Sequence, residues 1–205
     1  MLSLLSAAPA FTAPLSALAP QRAVSVRMGV ESMEGLGPET LGKVFDPLNL
    51  STMASDKTLA WYRHAELKHG RVAMAAFVGW LWVNGGAPLF GGAYSFSGAT
   101  FESLGHDSFA AWDALPTLAK AQIFLTIGGL EFCSELAKPH YMAGGTPGKV
   151  TILGNTLAPS TNLLPSDASA VASKRVSELK NGRLAMIGIM GVIAAHYVPG
   201  SVPAL

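Results

Sequence analysis

Four ionisable residues stand within or at the edge of stretches that are otherwise apolar: Glu66, Arg71, Glu178 and Arg183. In each segment the Arg follows the Glu by five residues, about 500° around an α-helix, so the two point in different directions and do not pair with each other. Unpaired at mid-bilayer depth, each charge costs roughly 2.5–3.5 kcal/mol. Exchange between the segments removes that cost: Glu66 with Arg183, and Glu178 with Arg71, through charge-assisted hydrogen bonds. A carboxylate neutralised in this way keeps an oxygen lone pair for a hard cation such as magnesium, which prefers oxygen donors. Three residues after each Glu stands a neutral donor, His69 in one segment and Asn181 in the other, one turn along on a nearby face. The chemistry that fits is axial ligation of a magnesium already held by a tetrapyrrole.

The elements that must position these groups are two copies of one unit. Glu66-Leu-Lys-His-Gly-Arg-Val-Ala-Met-Ala-Ala-Phe-Val-Gly79 aligns with Glu178-Leu-Lys-Asn-Gly-Arg-Leu-Ala-Met-Ile-Gly-Ile-Met-Gly191 at an offset of 112 residues, with 8 of 14 positions identical. Such an internal repeat outranks other signals. Small residues recur at steps of three: Gly70, Ala73, Ala76 and Gly79, then Gly182, Ala185, Gly188 and Gly191. They suit close helix crossing within a membrane, or let a flat macrocycle lie against the backbone.

Three segments read as helices, at about residues 58–84, 116–136 and 170–197. Pro116 suits a helix start, and Pro139 and Pro199 stop the second and third. Each is long enough for a tilted span of a hydrocarbon layer of roughly 30 Å, though no uninterrupted apolar run reaches the roughly 18 residues that would settle the matter alone. Trp61, Tyr62, Trp80, Trp82 and Tyr197 stand where aromatic belts form. The expected fold is an all-α membrane protein of three transmembrane helices. The first and third run parallel, because the second brings the chain back, and they cross as a pseudo-twofold pair.

The loops orient the molecule. Residues 85–115 carry no Lys or Arg but include Glu102, Asp107 and Asp113, whereas Lys138, Lys149, Lys174 and Arg175 lie between the second and third spans. The positive-inside rule then puts the second loop and the N-terminus on the side of synthesis, which in a plastid is the stroma. The first loop faces the lumen, and its stretch 90–101 reads as a connector. Residues 1–28 contain Arg22 and Arg27, no Asp or Glu, and much Ala, Ser, Leu and Pro, the composition of an organelle transit peptide. Residues 29–205 form the single folded domain.

Bulk properties exclude several classes. Half of the 205 residues are hydrophobic and 13% are charged, about half the charged fraction of a soluble domain, and mean hydropathy is +0.36. A net charge of +1 offers no footprint for nucleic acid. The single cysteine, Cys133, excludes an internal disulfide and reads as packing. Phosphate loops, nucleophile elbows and metalloprotease motifs are all missing, so no enzyme is expected.

The two Glu-Leu-Lys-x-Gly-Arg-x-Ala-Met segments resemble the paired signature helices of the light-harvesting chlorophyll-binding superfamily. The resemblance covers about residues 44–197. Phe45-Asp46-Pro47-Leu48 is similar to the family's carotenoid-contacting turn, which implicates Asp46 and Pro47. The second span, with Gln122 and Glu131, and the tail Pro199-Gly-Ser-Val-Pro203 are similar to the fucoxanthin or peridinin chlorophyll a/c branch of red-lineage plastids. The resemblance implies a thylakoid antenna protein that passes excitation to a photosystem, surrounded by thylakoid lipid and other antenna subunits. Its cofactors would be chlorophyll a, chlorophyll c and a carotenoid such as fucoxanthin or peridinin. It implies chlorophyll ligation by Glu66, His69, Gln122, Glu131, Glu178 and Asn181. Many members carry Gln twelve residues after the second signature Arg; here Ala195 takes that place and His196 follows, so His196 is the candidate there. His64, His106 and His140 read as solvated side chains.

Two alternatives stand beside this reading. An energy-dissipating antenna of the same fold would use lumen-facing acids, for which Glu102, Asp107 and Asp113 are candidates. A di-iron carboxylate enzyme would use Glu66-x-x-His69 with Glu131 and Glu135, but needs a second Glu-x-x-His pair where this chain has Glu178-x-x-Asn181.

Overall fold

The computed structural model describes residues 33–37, 41–86, 92, 98–136, 138–149, 151–152, 155–156 and 167–203. The expected leader, 1–28, and most of the 90–101 connector lie outside them. The chain is mainly helical: α1 (Leu50–Met53), α2 (Asp56–Asn84), α3 (Ser108–Ala114), α4 (Thr117–Glu135) and α5 (Ala168–Tyr197), with 3-10 turns at Phe101–Leu104 and Tyr141–Ala143. One correction to the all-α expectation is a minimal antiparallel hairpin, β1 (Thr151–Ile152) with β2 (Asn155–Thr156).

Helix boundaries follow local chemistry. Helix α2 begins two residues before the expected start because the Ser55 hydroxyl accepts from Thr58 N–H, and Asp56 sits in the favourable field of the first turn. It stops at Gly85, where a Cβ would meet the Leu81 carbonyl, followed by Gly86 at φ +71°. Asp107 caps α3 by accepting from Phe109 N–H at 3.0 Å, and Asn84 at the end of α2 accepts from Ser108 N–H at 3.2 Å. Pro116 precedes α4 directly.

Helices α2 and α5 form the central contact of the molecule. A Cβ placed on Gly70 would lie 3.0 Å from Gly182 Cα, and the reverse distance is also 3.0 Å. Gly70 and Gly182 are the same position of the repeat, so each helix meets the other at the corresponding point, as a twofold relation requires. Further along, Phe77 packs on Gly188; the contacts advance in the same direction on both helices, so the pair is parallel. Among the described residues, the buried apolar side chains are Leu59, Ala60, Ala73, Leu179 and Val192, all on these two helices. Gly79, expected in the close-packed stripe, faces open space instead, because nine residues carry it about 900° around α2, half a turn away from the direction of Gly70.

At 1.5 Å per residue, α2 and α5 are about 44 Å long and α4 about 29 Å. Even so, among the described residues no helix is long and apolar enough to cross a membrane. Length is not what limits α2 and α5. Charged residues interrupt the apolar runs: Arg63, Glu66, Lys68 and Arg71 fall within nine residues of α2.

Candidate functional site

The crossing brings the repeat's charges together. Arg183 Nε lies 2.7 Å from Glu66 Oε1, and Arg71 Nε lies 2.6 Å from Glu178 Oε1. Each guanidinium donates a second bond to a glycine carbonyl in the segment that precedes the opposite helix's own approach: Arg183 Nη1 to Gly35 O at 2.8 Å and Arg71 Nη1 to Gly148 O at 2.6 Å. Both glycines have positive φ, at +108° and +81°, and both sit against equivalent leucines of the repeat, Leu179 and Leu67. A side chain at either place would be strained by the backbone and crowded by the leucine. Gly35 and Gly148 were missed from sequence, where they look like ordinary turn residues.

The two copies are not equal. Glu66 receives a second arginine, Arg63 Nη1, on Oε2 at 2.8 Å. The equivalent Arg175 turns away to Glu34 at 3.6 Å, and among the described residues Glu178 is engaged by Arg71 alone. A carboxylate offers about four lone-pair sites, so even Glu66 retains acceptor capacity. The four residues of the two bridges are a quarter to two-fifths exposed, half-buried rather than sealed.

His69 is exposed on α2, and its Nδ1 lies 2.8 Å from the Ala65 carbonyl. A carbonyl only accepts, so Nδ1 carries the proton and Nε2 keeps its lone pair for an outside ligand. Asn181 is exposed at the corresponding place on α5. Gln122 and Glu131 lie on α4, both exposed, away from the crossing. Glu131 is engaged by the Lys68 ammonium of α2. His196 stacks face to face on Phe109 of α3, ring centroids 3.8 Å apart.

The Asp46 carboxylate caps α1, accepting from Leu50 N–H at 3.0 Å and Ser51 N–H at 2.7 Å. Hydrogen bonds from the Ser51 hydroxyl and backbone hold its pKa below the ordinary 3.8. Pro47 is exposed beside it. This turn borders a cleft of about 290 Å³ lined by Phe45, Leu50, Leu59, Tyr62, Arg63 and Glu66 among others.

His64 corrects an expectation. It is 6% exposed rather than solvated. Its Nδ1 accepts from Gly148 N–H at 3.0 Å, and its ring stacks on Tyr141 at 4.0 Å. The reason is tertiary: the segment before α5 folds back over this turn of α2. His140 is half-buried, with Nε2 2.9 Å from Glu135 Oε2, while His106 is exposed as expected. Burial, with the neighbouring Glu135 carboxylate, pushes the Tyr141 phenol above its usual pKa.

The di-iron alternative fails on geometry: among the described residues no three His, Cys, Asp or Glu side chains group to hold a metal ion. A tetrapyrrole magnesium needs a single protein ligand, and separated donors meet that need.

These features define a class of helical protein that crosses two copies of one charge-paired helix and exposes isolated oxygen and nitrogen donors. Residues 31–197 match the family described as Chlorophyll A-B binding protein. The chain is 33% identical over 87% of its length to the fucoxanthin-chlorophyll a-c binding protein, chloroplastic, of Trieres chinensis, covering 85% of that relative. It is 34% identical over 96% of its length to the protein of that name from Chattonella marina var. antiqua, again covering 85% of it. Protein F of the same name from Macrocystis pyrifera is 34% identical, over 82% of this chain and 75% of its own. The chain belongs to the chlorophyll a-b binding protein family, whose members are light-harvesting pigment-binding proteins and not enzymes. All three relatives are designated chloroplastic.

Proposed function

We propose that this chain is a thylakoid antenna protein that holds chlorophyll a, chlorophyll c and a carotenoid of the fucoxanthin type, and passes excitation towards a photosystem. The observation that carries the reading is the pair of reciprocal Glu–Arg bridges at the Gly70–Gly182 crossing. Each bridge offsets the charge of a carboxylate on a helix face, with Arg63 a second cation on Glu66, and an offset charge is the condition for ligating magnesium in an apolar medium. The relatives' names agree in pigment type.

Glu66, His69, Glu178 and Asn181 would hold chlorophyll on the crossed pair, Gln122 and Glu131 on α4, and His196 at the far end of α5. Asp46 and Pro47 would border the carotenoid. When bound, the pigments supply absorption and energy transfer. The chain's own part is to fix their places: transfer falls steeply with distance, so rigid holding is the mechanism.

Membrane embedding follows from the same pairing. Charges counted singly break every apolar run, but those at the crossing are neutralised against each other. Elsewhere the long helices present large apolar side chains outward, among them Val72, Val78, Leu125, Phe132, Leu184 and Ile187. Such a surface needs lipid or pigment against it. We read α2, α4 and α5 as three spans with the N-terminus stromal, and residues 1–28 as a plastid leader.

The dissipative alternative is not favoured; Asp107, one of its candidate sensors, is engaged as the α3 cap. Pigment extraction and chromatography of the purified protein test the proposal. Chlorophylls a and c with carotenoid at several pigments per chain are expected, and a preparation free of tetrapyrrole would overturn the reading.

A further inference from the structure

Helix α4 does not interlock with the crossed pair. Its principal backbone contacts are with strand β1. Among the described residues, the hydrogen bonds from α2 to α4 all come from Lys68. Its ammonium engages Glu131 Oε2, lies 3.3 Å from Glu135 Oε1, and lies 3.5 Å from Ser134 Oγ. The lysine side chain is 20% exposed, against 52% and 40% for the two carboxylates, so the cation sits deeper than the anions it joins.

Glu131 and Glu135 are four residues apart on one face of α4, where like charges repel. Lys68 compensates both. The other groups facing Glu135 are His140, at 2.9 Å, His64, whose Nε2 is 3.7 Å away, and the Tyr141 hydroxyl. His64 accepts from Gly148 N–H at Nδ1, so its proton is on Nε2 and the ring is neutral. Isolated exposed ion pairs hold little, but a network sharing one half-buried cation is the exception. At this end, then, the side-chain hydrogen bonds that join α2 to α4 converge on one lysine, beside the Tyr141 turn that packs on His64 of α2.

We propose that Lys68 is a positioning residue: by bracketing Glu131 and Glu135 it sets the α2–α4 separation, and with it the separation between pigments carried on those helices. The second half of this statement rests on the pigment-binding reading; the first does not.

The test uses the full chain refolded in detergent with chlorophylls and carotenoid. Spin labels go at two exposed positions, Val72→Cys on α2 and Leu125→Cys on α4, in a Cys133→Ser background. Lys68→Met should broaden the label–label distance distribution or move its mean by several ångströms, and should change the visible circular dichroism from coupled pigments. Lys68→Arg, which keeps charge and reach, should restore both. Unchanged distance and dichroism in Lys68→Met would overturn the proposal. Should Lys68→Met fail to fold, the exchanged pair Lys68→Glu with Glu135→Lys, which spares Glu131, decides: it should return the distance to the original value, and a folded double variant with a displaced α4 would overturn the bracket. If the parent chain takes up no pigment while the distance still responds to Lys68, the bracket stands and the pigment reading falls.

Discussion

Where α2 crosses α5, backbone meets backbone; where α4 faces α2, a lysine stem spans the space between. At the crossing, Gly70 and Gly182 leave no side chain to separate the helices, and two Glu–Arg bridges hold them on either side. Helix α4 has no such glycine contact, with open space beside both Gly128 and Gly129, and large apolar side chains such as Phe124, Leu125 and Phe132 stand exposed. One interface is closed by protein alone. The other is open, and an antenna has reason to keep it so, because a chromophore needs room beside its ligand. Direct packing builds the frame, and the bracketed helix adjusts what hangs on it.

The comparison is broken most severely at the crossing. Gly70→Leu has nowhere to go but into the Gly182 backbone, and overpacking of that kind costs typically 1–3 kcal/mol, occasionally more. We expect a lower melting temperature and loss of pigments from both crossed helices. Gly79→Leu, half a turn away from Gly70 on the same helix and in open space, should melt close to the parent; equal damage from both would refute the crossing geometry.

A smaller effect sharpens the difference between the two bridges. Arg71→Leu leaves Glu178 without a described partner, whereas Arg183→Leu leaves Glu66 with Arg63 at 2.8 Å. Stranding a buried charge costs about 3–5 kcal/mol; half exposure reduces that, and about 1–2 kcal/mol is a fair expectation for Arg71→Leu. Arg183→Leu should cost less and retain more chlorophyll. Thermal melting and pigment stoichiometry of the two variants, side by side, check the order.

The mildest prediction lies outside both interfaces, at the α1 cap. Asp46 has a lower pKa in the folded chain than its ordinary 3.8, so its contribution is fully present above that value and is lost as pH falls through the lower, folded one. Protection of the Leu50 and Ser51 amides against hydrogen exchange, normalised for intrinsic rate, should hold at pH 5 and fade below about 3.8. Asp46→Asn should make that protection insensitive to acid.

Much of this was legible from residue types. The offset of 112 residues carried the equivalence of α2 and α5, and it reaches further than the 14-residue match, since Arg63 and Arg175 obey it too. Charges inside apolar helices demanded partners, and their spacing left the opposite helix as the source. What spacing could not convey was the fate of single side chains. Arg63 and Arg175 are the same residue at equivalent places, yet one binds Glu66 and the other Glu34. His64 reads as a boundary histidine and is buried, because a segment some 84 residues away folds over it.

The repeat, the parallel course of its two copies and the need for charge exchange were determined by sequence alone, since each follows from periodicity or from the energy of a charge in an apolar medium. The glycine carbonyls of Gly35 and Gly148 that steady the arginines, the burial of His64 and the Lys68 bracket to α4 were decided only in three dimensions. Each depends on where a loop or a third helix comes to rest, and that follows from the packing of the whole chain rather than from any local pattern.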